Sequence, residues 1–300
     1  MEGELQPQGF PFLSNPPPLL SNPPLPSPPL PLPSWDGTVK LWSTSSPTSA
    51  AAGSLASISA GGKVFAMDWV GSTLMVATSG RKVLIFEVSV CNVATFNAAV
   101  ATFNSAIVSN VDQQQPISLR LTSSVAFSQV KKAGDSFEVS QVQARDSSLK
   151  FQTRSCALFP DRTGFALGSI EGRVAIEYME ETDVAVAQGK KKYAFKCHRV
   201  GDVVYPVNAI AFHPVHGTFA TGGCDGQVVL WDARHKKRLV ALPRLETSVA
   251  CLAFSKGGDA GRLLAVAQSY TFEEGEKDHP PDQIYVRELF EHEVKASGAK

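Results

Sequence analysis

Four clusters of residue types in this chain invite a chemical reading. His213 and His216, in "HPVHG", have the look of a metal pair. Pro214 between them and the turn composition around them point instead to a strand-connecting loop, and no carboxylate or cysteine is placed to complete a tetrahedral set. Cys197 followed by His198 offers a thiol and a base, but adjacent residues on a strand point to opposite faces and cannot bond as a dyad. The run "GGCDG" is glycine-rich, yet it lacks the Lys-Ser/Thr pair and the helix with which such loops cradle phosphate. The fourth cluster is Arg81, Arg173 and Arg199. Guanidinium groups grip carboxylates and phosphates through paired, charge-assisted hydrogen bonds, so three on one surface would read an acidic or phosphorylated peptide. These residues favour binding over catalysis, and no enzyme activity, metal or cofactor is expected.

Such a surface needs a rigid frame, and the sequence repeats one. A small residue, a turn with Gly, an alternating run and an aromatic recur in "SWDGTVKLW", "TSGRKVLIF", "GSIEGRVAIEY" and "GGCDGQVVLWD". Asp36-Gly37, Ser79-Gly80, Glu171-Gly172 and Asp225-Gly226 supply the tight turn, where glycine accepts positive φ without steric cost. The runs that follow are β-branched and alternate in face, as strands do. Hairpins repeated every forty to fifty residues or so mark a β-propeller, one four-stranded blade per repeat. In a blade, the turn between the second and third strands and the link leaving the fourth lie on one face of the disc. The residue after the turn glycine is Thr38, Arg81, Arg173 and Gln227 in the four repeats, so Arg81 and Arg173 share a slot on two blades. Arg199 ends the strand "YAFKCHR" and exits onto that face, and Tyr205 and Asn208, in "YPVNAI", frame the contact. Asp225 and Trp231 read as blade-stabilising polar and core residues.

Composition sets the outer bounds. Of 300 residues, 43% are hydrophobic, which suffices to bury one large all-β core or two smaller ones, and the formal net charge is zero. A general nucleic-acid binder needs an excess of Lys and Arg, so no direct nucleic-acid partner is expected. The basic runs "KKKYAFKCHR" and "ARHKKRL" read as solvated faces or as signals for nuclear entry. Five cysteines without C-x-x-C spacing suggest the reduced thiols of cytosol or nucleus. No basic stretch precedes the apolar residues at the start, and the uncharged run Val88–Val111 carries Asn92, Asn97, Asn104 and Asn110, so neither a signal peptide nor a membrane span is expected.

Two regions break the frame. Residues 1–34 are a proline-rich tract, expected to be a disordered tail whose P-x-x-P spacings would suit an aromatic groove. The distance from Phe86 to Tyr178 is about twice that from Trp42 to Phe86, and "FEVS" occurs at both 86–89 and 137–140. Removing one copy with everything between restores the spacing of one blade. Residues 88–137 therefore read as a loop insertion between blades of a partial propeller spanning 35–295; an intron translated in frame accounts for it equally well. The final repeat, 248–289, carries a long acidic excursion between its second and third strands.

At "DSSLKFQTR", "SIEGRVAIEY", "KKKYAFKCHR", "YPVNAIAFHPVHGTFATGGCDG" and "SYTFEEGEKDHPPDQIYVRE" the chain resembles the mitotic spindle-checkpoint WD-repeat family, the third member of the "budding uninhibited by benzimidazole" set, in its plant and algal form. The resemblance runs from Trp35 to about Lys295, outside the insertion. A sister family of nuclear-pore mRNA-export WD-repeat proteins shares "TGFALGSIEGRVAI" and "AFHPVHGT", while the "EEGEKDHPPDQIYVRE" tail favours the checkpoint family. The chain departs from the family in the insertion, in Gln268 where a small residue is usual, and in lacking counterparts of the first two and a half blades. The resemblance implies a seven-bladed propeller of which about four and a half blades are present. It implies a scaffold in the nucleus, at kinetochores of condensed chromosomes and partly in cytoplasm. Its partners would be checkpoint kinases, docked through their GLEBS motifs, and phosphorylated Met-Glu-Leu-Thr repeats of the kinetochore scaffold. The arginines of "EGR" and "CHR" would make those contacts. The other readings are an mRNA-export factor, a substrate receptor bound to ubiquitin-ligase subunits, and a non-functional truncated product.

Overall fold

The computed structural model describes residues 30–42, 56–91, 136–180 and 191–296. Residues 1–29 of the proline-rich tract, most of the 88–137 segment and residues 181–190 lie outside these. Five antiparallel sheets follow one another along the chain. The first holds β1 (Leu30–Pro33), β2 (Thr38–Trp42) and β3 (Ala56–Ser59); the second holds β4 (Val64–Val70), β5 (Thr73–Thr78), β6 (Lys82–Cys91) and β7 (Ser136–Asp146). The third holds β8 (Thr153–Leu158), β9 (Gly164–Ser169), β10 (Arg173–Tyr178) and β11 (Tyr193–Lys196), and is followed by a two-stranded ribbon of β12 (Arg199–Val200) and β13 (Val203–Val204). The fourth holds β14 (Val207–Phe212), β15 (Phe219–Gly223), β16 (Val228–Asp232) and β17 (Lys237–Ala241). The last holds β18 (Val249–Phe254), β19 (Leu263–Gln268) and β20 (Gln283–Glu288), ahead of a short helix α1 (Glu291–Val294). Among the described residues no helix is long and apolar enough to cross a membrane.

Every sheet runs in chain order, each strand paired with the next, as the hairpin repeats require. The turn glycines Gly37, Gly80, Gly172 and Gly226 all take positive φ. Strand alternation then sends successive residues into opposite seams. On β5, Leu74 and Val76 pack toward the first sheet with Val39 and Leu41, while Met75 and Ala77 pack toward the third with Leu158, Phe165 and Leu167. On β10, Ala175 joins that second seam, and Val174 and Ile176 join the third with Val207 and Phe219. Ala220, Leu230, Leu252 and Leu264 fill the fourth. Both faces of each inner sheet are thus apolar, which is why their middle strands read as near-continuous hydrophobic runs. This is an all-β propeller arrangement, with three four-stranded blades between two three-stranded ones.

Polar bonds fasten the seams between innermost strands. Asp68 Oδ2 accepts the N–H of Leu158 at 2.6 Å, Ser155 Oγ donates to Val207 O at 2.8 Å, and Asn208 Nδ2 donates to Val249 O at 3.0 Å.

Two expectations need correction. The tail does not run through residue 34, because Leu30–Pro33 forms an edge strand on β2, with Leu32 opposite Lys40 and Pro33 opposite Val39. Ser34 N donates to Thr38 O at 2.9 Å, so the N–H groups of Leu32 and Leu30, two and four residues back, point the same way. Pro31 and Pro33 fall on the outward positions, where a missing N–H costs no ladder bond. Nor does the insertion lie between blades. β6 pairs with β7 from Lys82↔Asp146 to Cys91↔Ser136, so the two strands flanking it are the third and fourth of a single blade. The two "FEVS" copies face each other in this ladder, with Val88 opposite Val139.

Candidate peptide-binding face

The position of Arg199 is set by its neighbour. His198 is buried, and its Nδ1 and Nε2 each lie 2.9 Å from a partner, Asp225 Oδ1 and Thr221 Oγ1. Trp231 Nε1 donates to the same Thr221 oxygen at 2.9 Å. An indole nitrogen only donates and a carboxylate only accepts, so Thr221 Oγ1 accepts from Trp231 and His198 Nδ1 donates to Asp225. That assignment places the imidazole hydrogen on Nδ1. This chain ties the end of the third blade to the turn and strands of the fourth. Asp225 and Trp231 do act as supporting residues. Burial pushes the Cys197 thiol up to about 12, and its Sγ donates to Gly172 O at 3.4 Å.

Gly172 is where three of the five predicted residues, Arg173, Arg199 and Tyr205, meet. Its φ is +62°, and a Cβ there would come within 2.6 Å of His198 O and 2.9 Å of Tyr205 O. This close approach draws the β9–β10 turn against the β12–β13 ribbon. Arg173 Nε lies 3.6 Å from Glu171 Oε2, and Arg199 Nη2 donates to Glu171 O at 3.1 Å. Both guanidinium groups therefore gather on one residue. The Nε atoms of Arg173 and Arg199 are each buried without a hydrogen-bond acceptor. Tyr205 stands beside them, its N–H bonded to His198 O at 3.0 Å.

The remaining two predicted residues sit differently. Arg81 holds the equivalent turn slot one blade back, at φ 63°, and donates to Leu149 O at 3.2 Å. Asn208 is occupied in the seam: besides Val249 O, its amide meets Cys224 Sγ at 3.1 Å and accepts from Arg154 Nε at 3.2 Å.

Sequence reasoning misses two further arginines. A hollow of about 200 Å³ is lined by Arg199, Gln227, Arg238 and Arg244, with Asp225 and Trp231 behind. Arg244 Nε donates to Asp225 O at 2.6 Å, and Arg238 lies opposite Trp231 in the β16–β17 ladder. Both sit on or after a fourth strand, like Arg199, and that shared register is the signal that would have found them. The face thus carries an excess of guanidinium over carboxylate and can hold an anion spanning two blades.

The WD domain, G-beta repeat, family matches residues 189–232, the stretch containing the His198 chain. The sequence is 41% identical over 266 residues to the Mitotic checkpoint protein BUB3.1 of Arabidopsis thaliana, covering 87% of this chain and 63% of that protein. It is 53% identical over 157 residues to the Mitotic checkpoint protein bub3 of Dictyostelium discoideum, covering 51% of this chain and 46% of that one. It is also 42% identical over 154 residues to Protein RAE1 of Arabidopsis thaliana, covering 50% and 42%. The chain thus spans less than two thirds of the length of these relatives. With its blades and its matched repeat, the chain has a WD-repeat propeller fold and is similar along most of its length to mitotic checkpoint proteins.

Proposed function

We propose that this chain is a non-catalytic scaffold of the spindle checkpoint, working in the nucleus and at kinetochores. It holds acidic or phosphorylated peptide segments on the face built around Glu171. The observation that carries this is the convergence of Arg173 and Arg199 on that one residue, each with a buried Nε–H that has no acceptor. A carboxylate or phosphate laid over the turn would give both guanidinium groups an anionic partner beyond their contacts with Glu171. Arg81 extends the track along the neighbouring blade, Tyr205 walls it, and Asn208 keeps the supporting seam closed. By similarity to the checkpoint relatives, the ligands are GLEBS-type motifs of checkpoint kinases and phosphorylated repeats of the kinetochore scaffold.

Titration of a phosphorylated Met-Glu-Leu-Thr peptide against the 300-residue chain, Arg173→Ala and Arg199→Ala tests the reading. Charge-assisted bonds of this type contribute roughly 1.5–3 kcal/mol each, so each variant should bind about ten-fold more weakly or worse. Lys in place of Arg199 should restore only part, because it cannot grip two oxygens at once. Unchanged affinity in both alanine variants would put the peptide on another surface. A likeness to the mRNA export factor of Rattus norvegicus, 39% identical over 175 residues, favours a second reading, in mRNA export. Co-purification separates the two: a checkpoint kinase supports the first, a nucleoporin the second.

A further inference from the structure

The two basic runs noted in the sequence, "KKKYAFKCHR" and "ARHKKRL", meet in space at a site away from the Glu171 turn. Between β11 of the third blade and β16–β17 of the fourth lies a cleft of about 390 Å³. Its floor is aromatic, formed by Tyr193, Phe195, Phe219 and Trp231. Lys196 from the first run and Lys236 and Lys237 from the second stand on its rim, all three exposed. The one lining carboxylate, Asp232, is buried and already accepts from the backbone N–H groups of Arg234 and His235, each at 3.0 Å. The cleft therefore presents positive charge around an apolar floor.

We propose that this cleft binds a short acidic linear peptide, seating one aromatic or branched apolar side chain on the floor with flanking carboxylates on the lysines. The cleft volume falls within the usual range for ligand pockets, roughly 300–1,000 Å³, and suits a side chain of that size. Lys236 Nζ already lies 4.8 Å from the centre of the Tyr193 ring, a cation–π contact that holds the ammonium at the mouth. Charge complementarity selects an acidic ligand over a neutral one. The ring arrangement selects a peptide over single-stranded nucleic acid. Phe195 is packed between Tyr193 and Trp231, at 6.1 Å and 4.7 Å with interplanar angles of 28° and 54°, and Lys236 lies over Tyr193, so the floor offers tilted rings to one side chain rather than the series of parallel faces on which successive bases stack.

The test uses the full chain and three fluorescein-labelled probes: a hexapeptide with one phenylalanine among glutamates, the same peptide with alanine for phenylalanine, and a hexauridylate. Fluorescence anisotropy should rank the phenylalanine peptide first. The double variant Lys236→Glu/Lys237→Glu alters only exposed side chains, so it should fold normally and bind that peptide at least ten-fold more weakly. Arg199→Ala should bind it as the unaltered chain does, which separates this cleft from the arginine face. Phe195→Ala should lose the preference for phenylalanine over alanine. Equal binding by the charge-reversed and unaltered chains would overturn the proposal. So would a loss caused by Arg199→Ala instead, tighter binding of the hexauridylate, or absence of phenylalanine-peptide binding at millimolar concentration.

Discussion

His213 shows how a single side chain can make the fold sensitive to acid. Its Nδ1 accepts the N–H groups of Val215 and His216 at 3.2 and 3.1 Å, and its ring packs against Phe254 at 5.2 Å. Burial, with His216 beside it, lowers its pKa from 6.5 to about 4. The unfolded chain therefore binds more protons than the folded one between these values. The stability this residue contributes is complete above pH 6.5 and drains away as pH falls toward 4. Urea denaturation at pH 7 and pH 5 should show a loss that His213→Asn reduces by about 1–2 kcal/mol. Gln268 is 1% exposed, and its Oε1 has no partner. Gln268→Met keeps the volume and removes the orphan, so stability should hold or rise by about 1 kcal/mol on the same assay. The sequence exposes Gln268 as out of place and Asp225 and Trp231 as supports. It does not expose Thr221 and His198 as their partners, because a hydrogen-bond chain that crosses from one blade to the next leaves no spacing to count.

At the level of elements, turns and middle strands are legible because both are local: a glycine at positive φ and an alternating apolar run specify a hairpin without reference to the rest of the chain. Outer strands are harder. β1 hides behind prolines whose composition argues for no strand at all, and only its position on an edge makes it admissible. The β6–β7 pairing hides behind the sequence between its halves. That pairing leads to a test. If the ladder from Lys82 to Cys91 is sufficient, replacing residues 92–135 with an Asn-Gly turn should leave the far-UV spectrum intact. It should also raise stability by about 2–3 kcal/mol through the shorter closure. A chain that fails to fold after this replacement would show that the segment itself supports the blade.

For the molecule as a whole, the last sheet matters most. Its inward residues Leu252, Phe254, Leu264 and Val266 are buried, while across its other face run the ladders Cys251–Ala267–Ile284 and Ala253–Ala265–Val286. Ile284 is 76% exposed and Val286 46%, on a strand with no further strand paired to it among the described residues. An apolar face beside an open edge favours association. Sedimentation velocity should therefore show concentration-dependent self-association, reduced by Ile284→Lys together with Val286→Lys. A sample that stays monomeric across a hundred-fold range of concentration would contradict this. The sheet face is readable in the sequence as strand alternation, but that it stands uncovered depends on which blades lie next to it, and alternation says nothing of that.

The facing "FEVS" copies also bear on time. Most neighbouring strands in these sheets are joined by short turns, so their pairing follows synthesis closely. β7 can meet β6 only after the whole of residues 92–135 has been made and its ends have found each other. Pairing across such a separation is slow, since closure entropy comes due before any contact repays it. By the same token, β7 should open without the blade unfolding. Amide protons of β7 should then exchange with solvent sooner than those of β5 and β9, whose strands are covered on both sides. The second blade would be the last to set after the chain leaves the ribosome.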